Sequence, residues 1–229
     1  MPRKNIRLLA GKPLIAYSIE TALSCPLIDR VIVSTDDREI ADVALKFGAE
    51  VPFIRPEELA RDDTPEWLAW QHALRTIDEP RMDAFVALPP TSPLRGIEDV
   101  QACIRALLDS DADSVITVTL AQRNPYFNMV ALDRDNFARL VIPAERAVAR
   151  RQDAPLVYDM TTVAYAARPQ FVLKAKSIFE GRFKAVIVPA ERALDIDTEL
   201  DFEFARFLLK RVPADDVGER LREGRGGHE

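Results

Sequence analysis

The chain has 229 residues and a formal net charge of -6 at pH 7, from 31 Lys and Arg against 37 Asp and Glu. This acidic balance argues against a nucleic-acid-binding protein, which needs a basic surface to displace counterions from phosphate backbones. No apolar run is long enough to span a bilayer, and the N-terminus lacks a signal-peptide core. Cys25 and Cys103 are too far apart to suggest a disulfide framework or a metal site. We therefore expect a cytoplasmic protein that associates with no membrane.

Apolar runs typical of strands alternate with segments of helical period along the first two-thirds of the chain. The predicted strands cover 30–34, 51–54, 84–88 and 114–119, and the predicted helices cover 37–47, 65–77 and 97–108. Strands separated by helices indicate crossover connections within one sheet. The sequence therefore predicts an α/β fold with a doubly wound, mainly parallel sheet.

The pattern changes over about 126–168, where strand-like pieces at 126–132 and 160–166 flank a polar, basic stretch at 144–153. We interpret this region as a projecting arm that contacts substrate or a second subunit, although a plain surface excursion fits the pattern equally well. The chain then returns through a strand at 185–188 and a helix at 199–210. The charged, Gly-rich tail at 213–229 is predicted to be disordered.

Two carboxylates follow the last predicted strand, Asp195 and Asp197, with Ile196 between them. In extended backbone, residues i and i+2 point to the same side, so both aspartates can face one cation while Ile196 enters the core. Mg²⁺ takes one or two protein carboxylates and completes its shell with water and substrate phosphate. The alternative is an ordinary strand end followed by an acidic helix N-terminus, with Thr198 or Asp197 as the cap.

Parallel sheets bind ligands at the carboxyl ends of their strands, and two further segments lie there. Asp36 and Asp37 follow the first predicted strand, and we interpret them as helix-capping residues. The segment 88–96 contains three prolines that fix its backbone and exclude a helix, so that Thr91 and Ser92 are placed on a stiff loop. A rigid polar loop at a strand end is a candidate substrate platform.

Several of these segments, in this order, resemble the acylneuraminate cytidylyltransferases, also called CMP-sialic acid synthetases. The matching motifs are Pro2-Arg3-Lys4-Asn5, Gly11-Lys12-Pro13-Leu14, Val33-Ser34-Thr35-Asp36, Arg55-Pro56-Glu57-Glu58-Leu59-Ala60, Pro90-Thr91-Ser92-Pro93-Leu94-Arg95 and Asp195-Ile196-Asp197-Thr198-Glu199. The resemblance implies a Rossmann-like fold of the nucleotide-diphospho-sugar transferase type over 1–212. It also implies that the motif at Gly11 opens a first helix, and that the protein is a homodimer in which the arm, here 136–158, completes the partner's pocket.

The resemblance further implies that CTP reacts with a sialic-acid-like 2-keto sugar acid to give a CMP-sugar and pyrophosphate. Asp195 and Asp197 match the ligands of Mg²⁺, and Lys4 matches a phosphate-binding lysine, which makes these three the expected catalytic residues. Asn5 and Arg55 match nucleotide-binding positions. The expected substrate-binding residues are Thr91, Ser92, Arg151, Asp159, Thr161 and Tyr165.

The chain departs from the family pattern at its start, where members carry a buried strand and an Ala-Arg-x-Gly-Ser-Lys-Gly loop before Pro-Arg-Lys-Asn. Here the chain opens at Met1-Pro2. We expect Met1 to be an internal methionine of a longer reading frame, and the chain as given to be inactive or nearly so. That strand would occupy the middle of the sheet, and its loss would leave two apolar edges.

Two other departures concern the acceptor sugar. Pro89 stands where many members have Gln, and Asp159-Met160-Thr161-Thr162 replaces their Arg-x-Asn-Gly. The exchange of Arg for Asp159 reverses a charge near the expected sugar pocket. We therefore expect an acceptor other than N-acetylneuraminate, one that carries an amino group or lacks the N-acyl group.

Two other functions fit the sequence. One is nucleotidyl transfer to a different sugar, and the other is a non-catalytic family remnant that acts as a sugar-binding or assembly partner. A dinucleotide-dependent dehydrogenase is disfavoured, because no Gly-x-Gly-x-x-Gly follows any predicted strand.

Overall fold

The computed structural model describes residues 1, 3–61, 63–143 and 150–211. The predicted tail at 213–229 and the first six residues of the basic stretch at 144–153 lie outside the described residues. Within the described residues, no helix combines the length and the apolar character needed to cross a bilayer.

Six α-helices are formed by the described residues. They are α1 (Leu14–Ser24), α2 (Arg38–Lys46), α3 (Glu66–Ile77), α4 (Ile97–Leu108), α5 (Pro169–Lys174) and α6 (Glu199–Arg211). The predicted helices correspond to α2, α3, α4 and α6, and α4 has the predicted ends. Asp37 caps α2, since its Oδ1 accepts from the backbone N–H of Glu39 (2.7 Å) and Ile40 (3.3 Å).

The described strands are β1 (Leu8–Leu9), β2 (Lys12–Pro13), β3 (Phe85–Ala87), β4 (Ser114–Leu120), β5 (Val130–Leu132), β6 (Ala138–Leu140), β7 (Tyr158–Ala167) and β8 (Phe183–Ile187). The main sheet has the order β3-β7-β4-β8. β7 runs antiparallel to both β3 and β4, whereas β4 and β8 are parallel. Three of these four strands therefore share one direction, but only β4 and β8 are a parallel pair, so the sheet is mixed, with one antiparallel strand in its interior.

The arm is smaller than predicted. Residues 160–166, which were predicted to lie within it, belong to β7 and lie between two strands of the main sheet. Burial explains the difference, because Val163 through Ala167 are all buried, as in an interior strand covered on both faces. What projects is the antiparallel hairpin of β5 and β6, with Val130 opposite Leu140.

Helices cover both faces of the sheet, as the doubly wound prediction requires. On one face Tyr165 and Ala167 of β7 pack with Trp67 and Trp70 of α3. On the other face Ala164 and Ala166 pack against residues of α4, among them Cys103, Ile104 and Leu107. This alternation follows from the two-residue period of a strand. The two tryptophans therefore belong to the core.

The strands predicted at 30–34 and 51–54 are not formed as regular strands. Ile32 and Glu50 make a single parallel bridge, supported by Val33 N–H to Glu50 O (2.9 Å) and Glu50 N–H to Val31 O (2.8 Å). β3 pairs only with β7 in the described sheet. An interior strand pairs with a neighbour on each side. In the described part of the chain, 31–35 and β3 each pair on one side only, so each leaves one backbone edge unpaired.

Candidate active site

Three segments distant in sequence meet at the edge of the sheet where β3 and β8 end. The backbone N–H of Ile196 donates to the carbonyl of Thr91 at 2.9 Å, which joins the loop after β8 to the proline-rich loop after β3. Lys4 lies in a short 3-10 turn, Lys4–Ile6, and its Nζ donates to Ile196 O (2.7 Å) and Asp197 Oδ1 (3.2 Å). The structure therefore brings Lys4, Asp197 and the proline-rich loop together.

The two aspartates differ in their surroundings. Ile196 is fully buried and packs with Leu14 and Phe202, as the alternation predicted. Asp195 Oδ1 is buried and has no hydrogen-bond partner among the described residues. The Asp197 side chain is 72% exposed and pairs with Lys4. A buried carboxylate oxygen without a partner is costly unless something binds it, and a hard cation satisfies that requirement.

The cap of α6 is formed by Thr198, one of the two residues that the alternative named, together with Asp201. Asp201 Oδ2 accepts from Thr198 N (2.7 Å), Thr198 Oγ1 (2.7 Å) and Asp197 N (3.1 Å), and Asp201 N donates to Thr198 Oγ1 at 3.3 Å. This reciprocal arrangement caps α6, and its signal in the sequence is Thr-x-x-Asp. The carboxylates of Asp195 and Asp197 are therefore not needed for the cap.

No group of three or more His, Cys, Asp or Glu side chains suited to a metal occurs in the part of the chain that the structure describes. The donor set at this edge is a pair of carboxylates, one of them with an orphaned buried oxygen. Mg²⁺ commonly takes one or two carboxylates together with water and substrate phosphate, so the residues present fit this ion.

The proline-rich loop is fixed from below by buried hydrogen bonds. Ser92 is fully buried, and its hydroxyl lies 2.7 Å from that of Thr162, which also accepts from Thr91 Oγ1 at 3.4 Å. Ser92 therefore holds the loop in place, and Thr91 is the more accessible of the two predicted platform residues.

Arg95, which ends the Pro-Thr-Ser-Pro-Leu-Arg motif, received no role from the sequence. It is buried and donates to Ser18 Oγ, to Pro89 O and to Thr162 O. Burial lowers the pKa of its guanidinium to about 9, an effect that the charges of Asp99 and Asp195 partly offset. The group therefore remains positive at neutral pH and places a buried charge near Asp195.

Arg55 lies beside Thr35 and Asp36, at the end of segment 31–35. Its backbone N–H donates to Thr35 O at 2.9 Å, its Nη2 is 3.5 Å from Asp36 Oδ1, and its Nε is buried without a partner among the described residues. Desolvation raises the pKa of the Glu66 carboxyl, and the positive charge of Arg55 partly offsets this rise. Burial, together with the charges of Glu66 and Asp195, raises the pKa of Tyr165 to about 12. Glu66, a residue that the sequence did not single out, thus lies within electrostatic reach of Arg55 and Tyr165.

The remaining predicted residues are Asn5, Asp159, Thr161 and Arg151. Asn5 shares the 3-10 turn of Lys4, and Asp159 is exposed at the start of β7, opposite Thr119 of β4. Thr161 is buried, and its hydroxyl donates to Thr117 Oγ1 at 2.8 Å, so a structural role accounts for it. Arg151 donates to Ala121 O at 3.1 Å and lines a cavity of about 280 Å³.

Residues 1–219 match the family model described as cytidylyltransferase. A CMP-N,N'-diacetyllegionaminic acid synthase of Campylobacter jejuni is 35% identical over 209 residues, which is 90% of this chain and 88% of that protein. A post-translational flagellin modification protein B of Campylobacter coli is 33% identical over 210 residues, with 90% and 88% covered. A pseudaminic acid cytidylyltransferase of Campylobacter jejuni is 31% identical over 216 residues, with 92% and 90% covered.

Two solved structures share the fold. One is a CMP:2-keto-3-deoxy-manno-octonic acid synthetase complexed with CTP, with a TM-score of 0.66 at 18% identity and with 92% of this chain and 93% of that chain covered. The other is the 4-diphosphocytidyl-2C-methyl-D-erythritol synthase of Anaerococcus prevotii, with a TM-score of 0.67 at 17% identity and with 90% and 93% covered. The Rossmann-like nucleotidyltransferase fold is thereby confirmed. The chain belongs to the cytidylyltransferase family, because the family model matches its residues 1–219 and the relatives named above are more than 30% identical to it.

Proposed function

We propose that this protein transfers CMP from CTP to the anomeric hydroxyl of a sialic-acid-like 2-keto sugar acid and releases pyrophosphate. The observation that carries the proposal is the contact of Lys4 with Asp197 and Ile196 beside Thr91, next to Asp195 with its buried, unpartnered Oδ1. A cation, an orphaned carboxylate oxygen and a second carboxylate in one place suit a metal-bound triphosphate.

In this reaction the anomeric oxygen attacks the α-phosphorus in line, and the bond from that phosphorus to the oxygen bridging to the β-phosphorus breaks. The hydroxyl proton is lost to a base, and pyrophosphate leaves. Catalysis of such a step depends mainly on positioning and on neutralising phosphate charge. Mg²⁺, held by Asp195 and Asp197, would supply charge neutralisation and orientation of the phosphates.

The protein side chains supply the remaining interactions. The ammonium of Lys4 is a compact donor close to Asp197, in a position to meet the phosphates. Arg55 has a buried Nε–H without a partner among the described residues, and together with Asn5 it can bind polar groups of the nucleotide. Thr91, Arg151, Asp159 and Tyr165 are proposed to line the sugar side, with Ser92 and Thr161 holding the loop and the strand beneath it.

The acceptor is proposed to differ from N-acetylneuraminate. The carboxylate of Asp159 is exposed, so it can pair with an amino group, whereas an acidic substituent at this position would be repelled. Relatives named for diacetyllegionaminic and pseudaminic acids support an acceptor that is a sialic-acid-like sugar other than N-acetylneuraminate. We also propose that the enzyme is a cytoplasmic homodimer.

The test measures pyrophosphate release from CTP with a panel of 2-keto sugar acids, including N-acetylneuraminate. Because 31–35 and β3 each present an unpaired edge among the described residues, the assay uses the 229-residue chain and also a chain extended by any residues encoded in frame before Met1. We expect CMP transfer that Asp195→Asn and Asp197→Asn each reduce by roughly 100-fold or more. Asp111→Asn, an exposed carboxylate before the N-terminal end of β4, is the matched control and should leave the rate unchanged.

Failure of both forms to transfer CMP to any acceptor would overturn the proposal and favour the non-catalytic alternative. Clear preference for N-acetylneuraminate would overturn the acceptor assignment alone.

A further inference from the structure

The segment that carries the two aspartates is anchored to the sheet by Arg192. Its Nε and Nη2 donate to Asp99 Oδ2 (2.7 Å) and Asp99 Oδ1 (2.8 Å), and its Nη1 lies 3.0 Å from Glu98 Oε1. Two parallel N–H···O bonds between a guanidinium and a carboxylate fix orientation as well as distance. Arg192 therefore determines where this segment crosses the first turn of α4.

Asp99 connects this anchor to the proline-rich loop. It is only 4% exposed, and its Oδ2 also accepts from the backbone N–H of Gly96 at 2.9 Å. Gly96 directly follows Arg95, at the end of the proline-rich loop. One buried carboxylate thus holds the end of that loop and the approach to Asp195 in a fixed relation.

The backbone between the anchors is tightly turned. Arg192 N–H donates to Pro189 O (3.0 Å), and Ala193 N–H donates to Ala190 O (3.2 Å). Three residues beyond, Ile196 N–H donates to Thr91 O (2.9 Å). Asp195 lies between these two attachments, and its buried Oδ1 makes no hydrogen bond of its own among the described residues. Its position must therefore be set by the attachments on either side.

We propose that the Arg192–Asp99 pair is a positioning device that holds Asp195 and Asp197 in the geometry that binds a divalent cation. The inference rests on the proposed function, because that function supplies the ligand role of the two aspartates. Arg192 acts through the loop and touches neither substrate nor metal. Groups that orient metal ligands from outside the coordination shell typically change metal affinity by about 10- to 100-fold when they are removed.

The experiment measures Mn²⁺ affinity directly, by electron paramagnetic resonance of free Mn²⁺ in the presence of CTP, in the form of the protein that transfers CMP. The variants are Arg192→Ala and Arg192→Lys. Arg30→Ala is the matched control, because Arg30 makes a comparable two-bond contact with Glu50 (3.1 and 2.7 Å) outside this loop. Thermal unfolding of each variant accompanies the titrations.

We expect Arg192→Ala to weaken Mn²⁺ binding about 10-fold and to raise the Mg²⁺ concentration for half-maximal CMP transfer by the same factor. Arg192→Lys should fall between this variant and the wild type, because lysine keeps the charge but loses the two-bond geometry. Arg30→Ala should leave Mn²⁺ affinity unchanged. If Arg192→Ala does not fold, the Arg192→Lys titration decides.

A purely structural role would lower the melting temperature of the Arg192 variants while their Mn²⁺ affinity stayed at the wild-type value, and this result would overturn the inference. A different result would overturn the proposed function: wild-type Mn²⁺ affinity of Asp195→Asn in the same titration would show that Asp195 does not bind the metal.

Discussion

Cys103 shows how burial controls the ionisation of a single group in this protein. The side chain is fully buried, with its Sγ 3.7 Å from Val115 O and 3.8 Å from Ala164 O. Burial raises the pKa of this thiol from 9.0 to about 12. A group with a raised folded-state pKa keeps its proton in the native state after the unfolded chain has lost it, so stability falls as pH rises from about 9 to about 12.

The first prediction concerns the pH dependence of unfolding. Between pH 8 and pH 10, Cys103 should reduce the free energy of unfolding by about 1.4 kcal/mol, since one pKa unit corresponds to that amount. Urea titrations of the wild type and of Cys103→Ala at both pH values measure this contribution. The variant has a lower stability at pH 8 because it leaves a cavity, but its stability should fall less towards pH 10. Parallel declines in the two proteins would contradict the assignment.

Some individual site residues were predictable from the sequence, and others were not. The placement of Ile196 in the core follows from the two-residue period of extended backbone, which is a local property. The Arg192–Asp99 contact joins residues 93 positions apart, and no local pattern indicates it. The sequence does not indicate which of Thr161 and Thr162 contacts the proline-rich loop. The path of β7 decides this, because Thr161 bonds to Thr117 of β4 while Thr162 bonds to Ser92 of the loop.

At the scale of elements, local signals decided which predictions succeeded. The ends of α4 were predicted correctly, because Gly96 precedes a clear helical period that runs to Leu108. The direction of β7 was not predictable, because an interior strand is apolar on both faces whether it runs parallel or antiparallel. The short helix α5 was not predicted, because its 6 residues are too few to show a helical period of apolar residues.

Arg95 joins three elements and provides a prediction at this scale. Its guanidinium donates to Ser18 of α1, to Pro89 of the proline-rich loop and to Thr162 of β7. Arg95→Lys keeps the charge but cannot reach all three acceptors, so buried carbonyls lose their donors. We expect the free energy of unfolding in urea to fall by about 2–3 kcal/mol.

Arg139→Lys, on the exposed strand β6, is the control and should be within about 0.5 kcal/mol of the wild type. If Arg95→Lys is as stable as this control, the three hydrogen bonds do not hold the loop in the way described.

At the scale of the whole molecule, two surfaces of the described structure are incomplete. Among the described residues, 31–35 and β3 each leave one backbone edge unpaired, and Phe85 of β3 packs against Trp70 of α3 at a ring-centroid distance of 5.4 Å. The arm is the second surface. Phe137 and Leu156 are 74% and 75% exposed, which is unusual for large apolar side chains unless another surface covers them.

The arm carries the prediction of a homodimer. We expect sedimentation equilibrium to give twice the chain mass for the wild type, and Phe137→Glu to shift the protein towards the monomer, because a charge would be buried at the interface. Leu200→Glu places the same charge at a position that is 77% exposed on α6 and should remain dimeric. A monomeric wild type, or a dimer that Phe137→Glu leaves intact, would contradict the role of the arm.

The central claim is that Asp195 and Asp197 hold a divalent ion that carries the triphosphate of CTP. Anomalous diffraction from crystals grown with CTP and Mn²⁺ tests it most directly, because the signal locates the metal without reference to activity. We expect one metal within about 2–2.5 Å of a carboxylate oxygen from each aspartate, with phosphate oxygens completing its shell and Lys4 beside them. A metal–triphosphate complex bound elsewhere, with both carboxylates unligated, would contradict the assignment of these aspartates as metal ligands.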